Sequence, residues 1–374
     1  MSDTGARGRV SVPGRVNLIG EHIDYHNLPV LPMALDKRVE LEWEAREDAL
    51  VRAASEGFEA REFRLDAPVE PWAPGDWGNY VKAAAAAALG KWSLKRGAAL
   101  RVRSSLPVAA GLSSSTALMT ACTLALLEAN DVHASFDELM EVLPEGEYFV
   151  GTRGGGMDHA AVLGAREGCA LLVEFEPVRI EPVPVPEGWT FLVADSGVKA
   201  EKSAAVKAEY NERRFAGQRA AERLGFAGIR QALEQAGAEE LLRMAQGRLE
   251  GMERRCLPHV AGEAARVKNA VEAMRAADAE RFGRLLNESH ESLRDLLRVS
   301  CAELDRLVEA AQESGALGAR LTGAGFGGAA VVFCLEAQAE RVAAGIEQRY
   351  SAGGRIFRAA AAAGALELIA RGGA

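Results

Sequence analysis

The chain has 374 residues, of which 48% are hydrophobic and 26% charged, and a formal net charge of −9. That length exceeds one comfortable core and sets two domains as the expectation. The acidic balance excludes a general affinity for nucleic acid or an anionic membrane, although a local nest of amides can still take a phosphate.

Residues 9–20 read as a strand, a turn at Pro13-Gly14 and a second apolar strand. Glu21-His-Ile-Asp-Tyr-His-Asn27 follows, dense in hydrogen-bonding side chains, and Val30–Leu35 resumes the apolar pattern. Polar groups wedged between two buried strands need partners, in the protein or in a polar ligand. Two carboxylates and an imidazole so close together suit a polyol; a solvated acidic loop gives the same pattern. Val39–Glu44 alternates as a half-buried strand, and Val51–Ala53 and Phe63–Leu65 read as short strands. Trp72, Trp77 and Tyr80 precede a helix over Val81–Leu89 that stops at Gly90.

Leu100–Arg103 is strand-like and leads into Pro107-Val-Ala-Ala-Gly-Leu-Ser-Ser-Ser-Thr-Ala117, which opens an apolar helix over Ala117–Leu127. Gly111 permits a tight turn, and Ser113, Ser114 and Ser115 place free amides at the positive end of the helix dipole. That is a ready phosphate site, and equally a serine-rich cap on a buried helix. Phe136–Val142 is amphipathic. Then come Glu147 and Gly151-Thr-Arg-Gly-Gly-Gly-Met-Asp158-His159, where three glycines before an acid bring backbone close to something. Asp158 there serves as a proton acceptor, a metal ligand or a helix cap.

Cys169–Phe175 is a strand, and Pro177–Pro186 reads as the passage between domains 1–185 and 186–374. After a strand over Trp189–Ala194, helices are expected over Lys199–Leu224 and Gly237–Leu249, with their charged runs solvated, and over Ala261–Met274 and Ala279–Leu297. Leu321-Thr-Gly-Ala-Gly-Phe-Gly-Gly328 enters the strand Ala329–Phe333. A dinucleotide fingerprint needs the opposite order, strand then helix, so a Rossmann site is disfavoured. No apolar run reaches membrane-spanning length, and Met1–Gly8 lacks the apolar core of a signal peptide. The five scattered cysteines read as thiols in a reducing compartment, which makes the protein cytoplasmic by expectation.

Gly14-Arg-Val-Asn-Leu-Ile-Gly-Glu-His-Ile-Asp-Tyr25 resembles the galactokinase signature, and Pro107–Ala117 and Leu321–Gly328 resemble the second and third motifs of the GHMP small-molecule kinases. Ser289–Asp295, Val299-Ser300 and Glu303-Leu-Asp305 extend the similarity over nearly the whole chain. The resemblance implies an α/β (α+β) fold of two domains, one like the second domain of ribosomal protein S5 and one ferredoxin-like, with ATP and sugar meeting between them. It implies ATP-binding residues Gly111, Leu112, Ser113, Ser114 and Ser115, with Ser115 and Glu147 holding Mg²⁺. It implies Arg15 and Asp158 at the sugar's anomeric hydroxyl, and Glu21, His22, Asp24, Gly155 and Tyr210 at the other hydroxyls. Gly325–Gly328 would close over the substrates.

The sequence departs from the galactokinase pattern at Ala109, where glycine is usual, at His159, where glutamine is usual, at His26–Pro29 and at Ala329. The Pro107 and Gly151 runs, and Glu147 set eleven residues before Asp158, stand closer to the N-acetylgalactosamine kinase branch. An ATP-dependent sugar 1-kinase is therefore expected, with galactose ahead of N-acetylgalactosamine. A non-catalytic sugar- and ATP-binding regulator is the alternative. Its partners are a sugar and ATP; the oligomeric state is left open, with a monomer compatible.

Overall fold

In a computed structural model the described residues are 6–107, 110–151, 154–199, 204–351 and 354–371. Val108, Ala109, Thr152 and Arg153 of the two motifs, and residues 200–203 of an expected helix, lie outside them. The chain opens with β1 (Arg7–Ile19), β2 (Leu31–Ala45), β3 (Leu50–Ser55), β4 (Arg61–Arg64) and β5 (Ala98–Ser104), in a sheet of order β1-β2-β5-β3-β4. Only β3 and β5 pair in parallel. The turn expected at Pro13-Gly14 is absent: β1 runs through it, and the register slips between Pro13 and Arg15. Such a bulge re-aims a side chain without ending the strand, and here the next residue is Arg15.

Four helices follow in this half: α1 (Gly78–Lys91), α2 (Ser114–Ala129), α3 (Phe136–Phe149) and α4 (Met157–Gly164). The helix α2 packs on β1 and β2 while α1 covers α2. It is apolar nearly all round because it is enclosed on all sides, as its buried run from Ala121 to Leu127 shows. Expected to stop at Val142, α3 continues through Pro144, which carries Glu147 onto its last turn. Its start is fixed by a capping box between Ser135 and Glu138.

The proline-rich stretch forms β7 (Arg179–Pro184), which pairs antiparallel with β6 (Cys169–Glu174). Pro182 and Pro184 are tolerated because β7 is an edge strand, where a missing N–H goes unmissed. The second sheet has the order β11-β8-β10-β9, from β8 (Trp189–Asp195), β9 (Gly318–Thr322), β10 (Ala329–Leu335) and β11 (Ile356–Ala359), all antiparallel. Its inner strands β8 and β10 are largely apolar without alternation since both faces are covered. Phe191, Val193, Val331 and Phe333 join the main core with Phe282, while Leu192, Ala194, Ala330 and Val332 pack under Leu307, Val342 and Ile346.

Helices α5 (Ala204–Arg223), α6 (Ile229–Ala245), α7 (Gly251–Arg275), α8 (Ala279–Ser292), α9 (Ala302–Glu313), α10 (Ala339–Arg349) and α11 (Ala365–Ala370) complete the chain. Gly237 breaks α6 at φ 75, and the residues after Ser292 form a π-helical turn, Leu293–Leu297. The last helix, α11, returns to pack on α4 and β1. The two sheets are joined where β1 meets β9: Asn17 N–H donates to Thr322 Oγ1 at 3.0 Å, and Arg320 Nη1 donates to the carbonyls of Asn17 and Leu18 at 3.1 and 3.0 Å.

Candidate active site

That joint sets three segments far apart in sequence around one cleft. Arg15 leaves β1 and meets Asp158, in the first turn of α4, through two parallel bonds: Nε to Oδ1 at 2.7 Å and Nη2 to Oδ2 at 2.9 Å. The remaining Nη1 donates to the Gly111 carbonyl at 2.7 Å, and Arg15 N–H donates to Leu112 O at 3.2 Å. Ser113, at φ 57, donates its hydroxyl to Asp158 Oδ2 instead of capping α2. Gly111 to Thr116 therefore line the cleft with no side-chain cap on the helix start, which leaves the positive end of a long apolar helix facing it.

Electrostatics divide the carboxylates. Burial would raise the pKa of Asp158, but Arg15 and the Ser113 hydroxyl outweigh it and the group is lowered. Burial likewise opposes the charge on Arg15, yet Asp158, Glu21 and Asp24 raise its pKa. Among the described residues no cation forms an ion pair with Asp24: burial, then the nearby charge of Asp158, push it up to about 6. It accepts from Gly155 N–H at 3.1 Å. A Cβ on Gly155 would lie 2.4 Å from the Asp24 and Tyr25 backbone, so only glycine allows the approach. The glycine run is thus used against the Asp24 loop.

His22 Nε2 faces the Ala324 carbonyl at 3.1 Å, so that nitrogen carries the proton and Nδ1 accepts from Tyr25 OH at 2.9 Å. Burial drives the His22 pKa down to about 3, and the ring is neutral at pH 7. Tyr210, on α5, sets its ring 5.2 Å from that of His22, and its burial raises the phenol well above its usual value. Glu21 is 2% exposed; its Oε1 accepts from Gly323 N–H at 2.5 Å and lies 3.6 Å from Arg320 Nη2. Burial raises the Glu21 pKa, against Arg320 and Arg15, which lower it.

Glu147, at the end of α3, accepts from Thr116 Oγ1 at 3.0 Å, and His159 Nε2 lies 3.8 Å from the same oxygen. Ser115 lines the cleft beside them. One carboxylate and hydroxyls of the helix start are hard oxygen donors of the kind Mg²⁺ takes when phosphates supply further ligands. No group of three or more His, Cys, Asp or Glu is assembled for a metal among the described residues. The donor set fits Mg²⁺ that would take its further ligands from phosphates rather than a metal caged by protein alone.

Arg15, Glu21, His22, Asp24, Gly111–Ser115, Glu147, Gly155, Asp158 and Tyr210, all singled out from sequence, line this one cleft. A layer behind it was missed. Glu263, on α7, accepts from Gly20 N–H and Ser289 Oγ at 2.9 and 2.7 Å and from Arg266 Nε at 2.7 Å. His259 donates from Nε2 to the Glu21 carbonyl at 3.0 Å. Arg213, on a helix read as solvated, is 6% exposed and donates to Leu297 O at 3.2 Å. Arg320 had a legible signal: an arginine inside the otherwise small and apolar strand Gly318–Thr322 demands a buried partner.

The fold is that of the GHMP kinases: residues 79–165 match the GHMP kinases N terminal domain and residues 270–352 the GHMP kinases C terminal. Residues 2–41 match the galactokinase galactose-binding signature. A galactokinase of Streptomyces coelicolor is 34% identical, over 96% of this chain and 94% of its own. One from Thermococcus kodakarensis is 36% identical, over 92% and 94%. The crystal structure of Lactococcus lactis galactokinase complexed with galactose superposes with a TM-score of 0.87 at 29% identity, over 97% of this chain and 96% of that one. The chain belongs to the galactokinase family.

Proposed function

We propose that the protein is an ATP-dependent galactokinase, forming ADP and α-D-galactose 1-phosphate. The observation that carries the reading is the buried Arg15–Asp158 pair tied directly to the start of α2, which sets a proton acceptor and a cation beside an anion-binding helix end. In this reading the anomeric oxygen attacks the γ-phosphorus, the new O–P bond forms as the bond to the leaving ADP breaks, and Asp158 takes the hydroxyl proton. Phosphoryl transfer needs alignment and charge neutralisation more than covalent help. Arg15 orients Asp158 and stabilises charge on the transferred group; the amides at Gly111–Ser115 hold the phosphates. Glu21, His22, Asp24, Gly155 and Tyr210 surround the remaining hydroxyls. Ser115 and Glu147 would hold Mg²⁺, which supplies charge neutralisation on the phosphates when bound.

The division into domains 1–185 and 186–374, with the cleft between them, belongs to the same reading. So does a cytoplasmic setting, supported by five free cysteines. No helix among the described residues is long and apolar enough to cross a membrane. The test is ADP release across galactose, N-acetylgalactosamine, galacturonate, arabinose and mevalonate, with Asp158→Asn as control. Galactose is expected to lead, a preference for N-acetylgalactosamine would reassign the sugar, and silence with every sugar would leave only a binding protein.

A further inference from the structure

Ser113, counted above among the phosphate ligands, has a geometry that this role alone does not explain. It stands just before α2 at φ 57, a left-handed conformation that costs a non-glycine residue about 1 kcal/mol. A serine there ordinarily turns its oxygen back to an amide two or three residues on, and Ser113 makes no such bond. Its hydroxyl reaches Asp158 Oδ2, the oxygen already held by Arg15 Nη2. The two residues before it are also attached to Arg15, Gly111 O accepting from Nη1 and Leu112 O from the main-chain N–H. Every residue from Gly111 to Ser113 is thereby bonded to one member of the Arg15–Asp158 pair.

We propose that Ser113 is a positioning residue for Asp158: its hydroxyl fixes the second carboxylate oxygen and locks the phosphate-binding loop and the proton acceptor into one rigid unit. This rests on the sugar-kinase reading above. Arg15 alone, flat against both oxygens, resists rotation in its own plane but leaves the carboxylate free to tilt. A donor from the residue just before α2 removes that freedom and ties the register of the phosphate to that of the acceptor. Misplacement of a reacting group by about 1 Å costs on the order of 10²-fold in rate. A residue that merely holds phosphate equally in the ground and transition states would change the KM for ATP and leave kcat alone.

The experiment is steady-state kinetics on the full chain with ATP and galactose for wild type, Ser113→Gly, Asp158→Asn and the double variant, with residual rates read by labelled phosphate. Glycine takes φ 57 without strain and removes the hydroxyl together with the methylene that carries it. Ser113→Gly is expected to lower kcat by about 10- to 100-fold, with the KM for ATP within about threefold of wild type. It should have no further effect in the Asp158→Asn background. Asparagine also tolerates the left-handed region and keeps an N–H donor, so Ser113→Asn should turn over faster than Ser113→Gly. A tenfold rise in the KM for ATP at unchanged kcat would overturn the proposal, as would equal losses with and without Asp158. If the glycine variant fails to fold by circular dichroism, Ser113→Asn against Ser113→Ala gives the same comparison with the same deciding outcomes. A wild type silent with every sugar would instead remove the kinase reading, and the inference with it.

Discussion

Asp24 and Asp158 sit in one cleft and are driven in opposite directions, one pushed up to about 6 and the other held below its usual range. Pairs of carboxylates separated in this way divide roles: the ionised one is ready to accept a proton, and the other titrates near working pH. Asp158→Asn is expected to lower kcat by about 10²–10⁴-fold, the range for a positioned acid or base, with binding of galactose retained by calorimetry. In the proposed site ionised Asp24 would accept from sugar hydroxyls with both oxygens, and below about pH 6 protonation turns one of them into a donor. The profile of kcat/KM for galactose should therefore fall on the acid side with a midpoint near 6. In Asp24→Asn that limb should vanish and the plateau drop; an unchanged limb would assign it elsewhere.

The glycine-rich loop between β9 and β10 is the element whose shape is least forgiving. Gly325 has φ 81, and a Cβ there would lie 2.2 Å from the Val299 carbonyl. Phe326, at φ 62, donates its N–H to the same carbonyl at 2.7 Å. Gly325→Ala should cost about 1–3 kcal/mol by urea unfolding and weaken galactose binding, since the displaced loop carries Gly323 and Ala324 against Glu21 and His22. A variant with wild-type stability would mean that the turn can relax.

What could be read from sequence at this scale follows from locality. The serine loop, the Glu21–Asp24 cluster and the glycine runs are each contiguous, so they could be singled out without the fold, although each by itself fitted a helix cap, a solvated loop or a turn equally well. Element ends fared worse. The helix over Phe136–Val142 was read seven residues short, since α3 runs on through Pro144 to Phe149, and within the proline-rich Pro177–Pro186 stretch β7 forms, because tertiary packing outweighed local propensity. The layer behind the site was illegible for another reason: nothing local marks Glu263, inside the helix expected over Ala261–Met274, or His259 just before it, and their partners at Gly20 and Glu21 lie 243 and 238 residues away.

Across the whole molecule that hidden layer is what joins the two sheets. Arg320 is fully buried and spans β1 and β9 while facing Glu21. Arg320→Met leaves Glu21 buried without its counterion and should destabilise the protein by about 3–5 kcal/mol. Acid should unfold it as well. His22, His26 and His259 titrate near 6.5 when unfolded, but burial lowers them to about 3, 3 and 4 in the fold. Between those values the unfolded chain binds more protons, so stability is full above pH 6.5 and is lost as pH falls towards 4. Asp24 and Glu21, raised on folding, act in the opposite sense over part of that range. Glu263, lowered to about 2 by Arg266, His259 and Arg320 against burial, adds to the acid loss. Urea unfolding at pH 5 should give a free energy lower than at pH 7.5 by ~2 kcal/mol or more; equal values would mean that these imidazoles are not buried as described.

The account turns on Arg15 and Asp158 acting together on the anomeric oxygen of a sugar, and phosphorus NMR of the product of ATP and galactose reads that atom directly. The expected spectrum shows ADP together with a sugar phosphate whose phosphorus couples to the anomeric proton, formed by wild type and nearly lost in Asp158→Asn. Phosphate appearing on any other hydroxyl, or an Asp158→Asn rate equal to wild type, would contradict it.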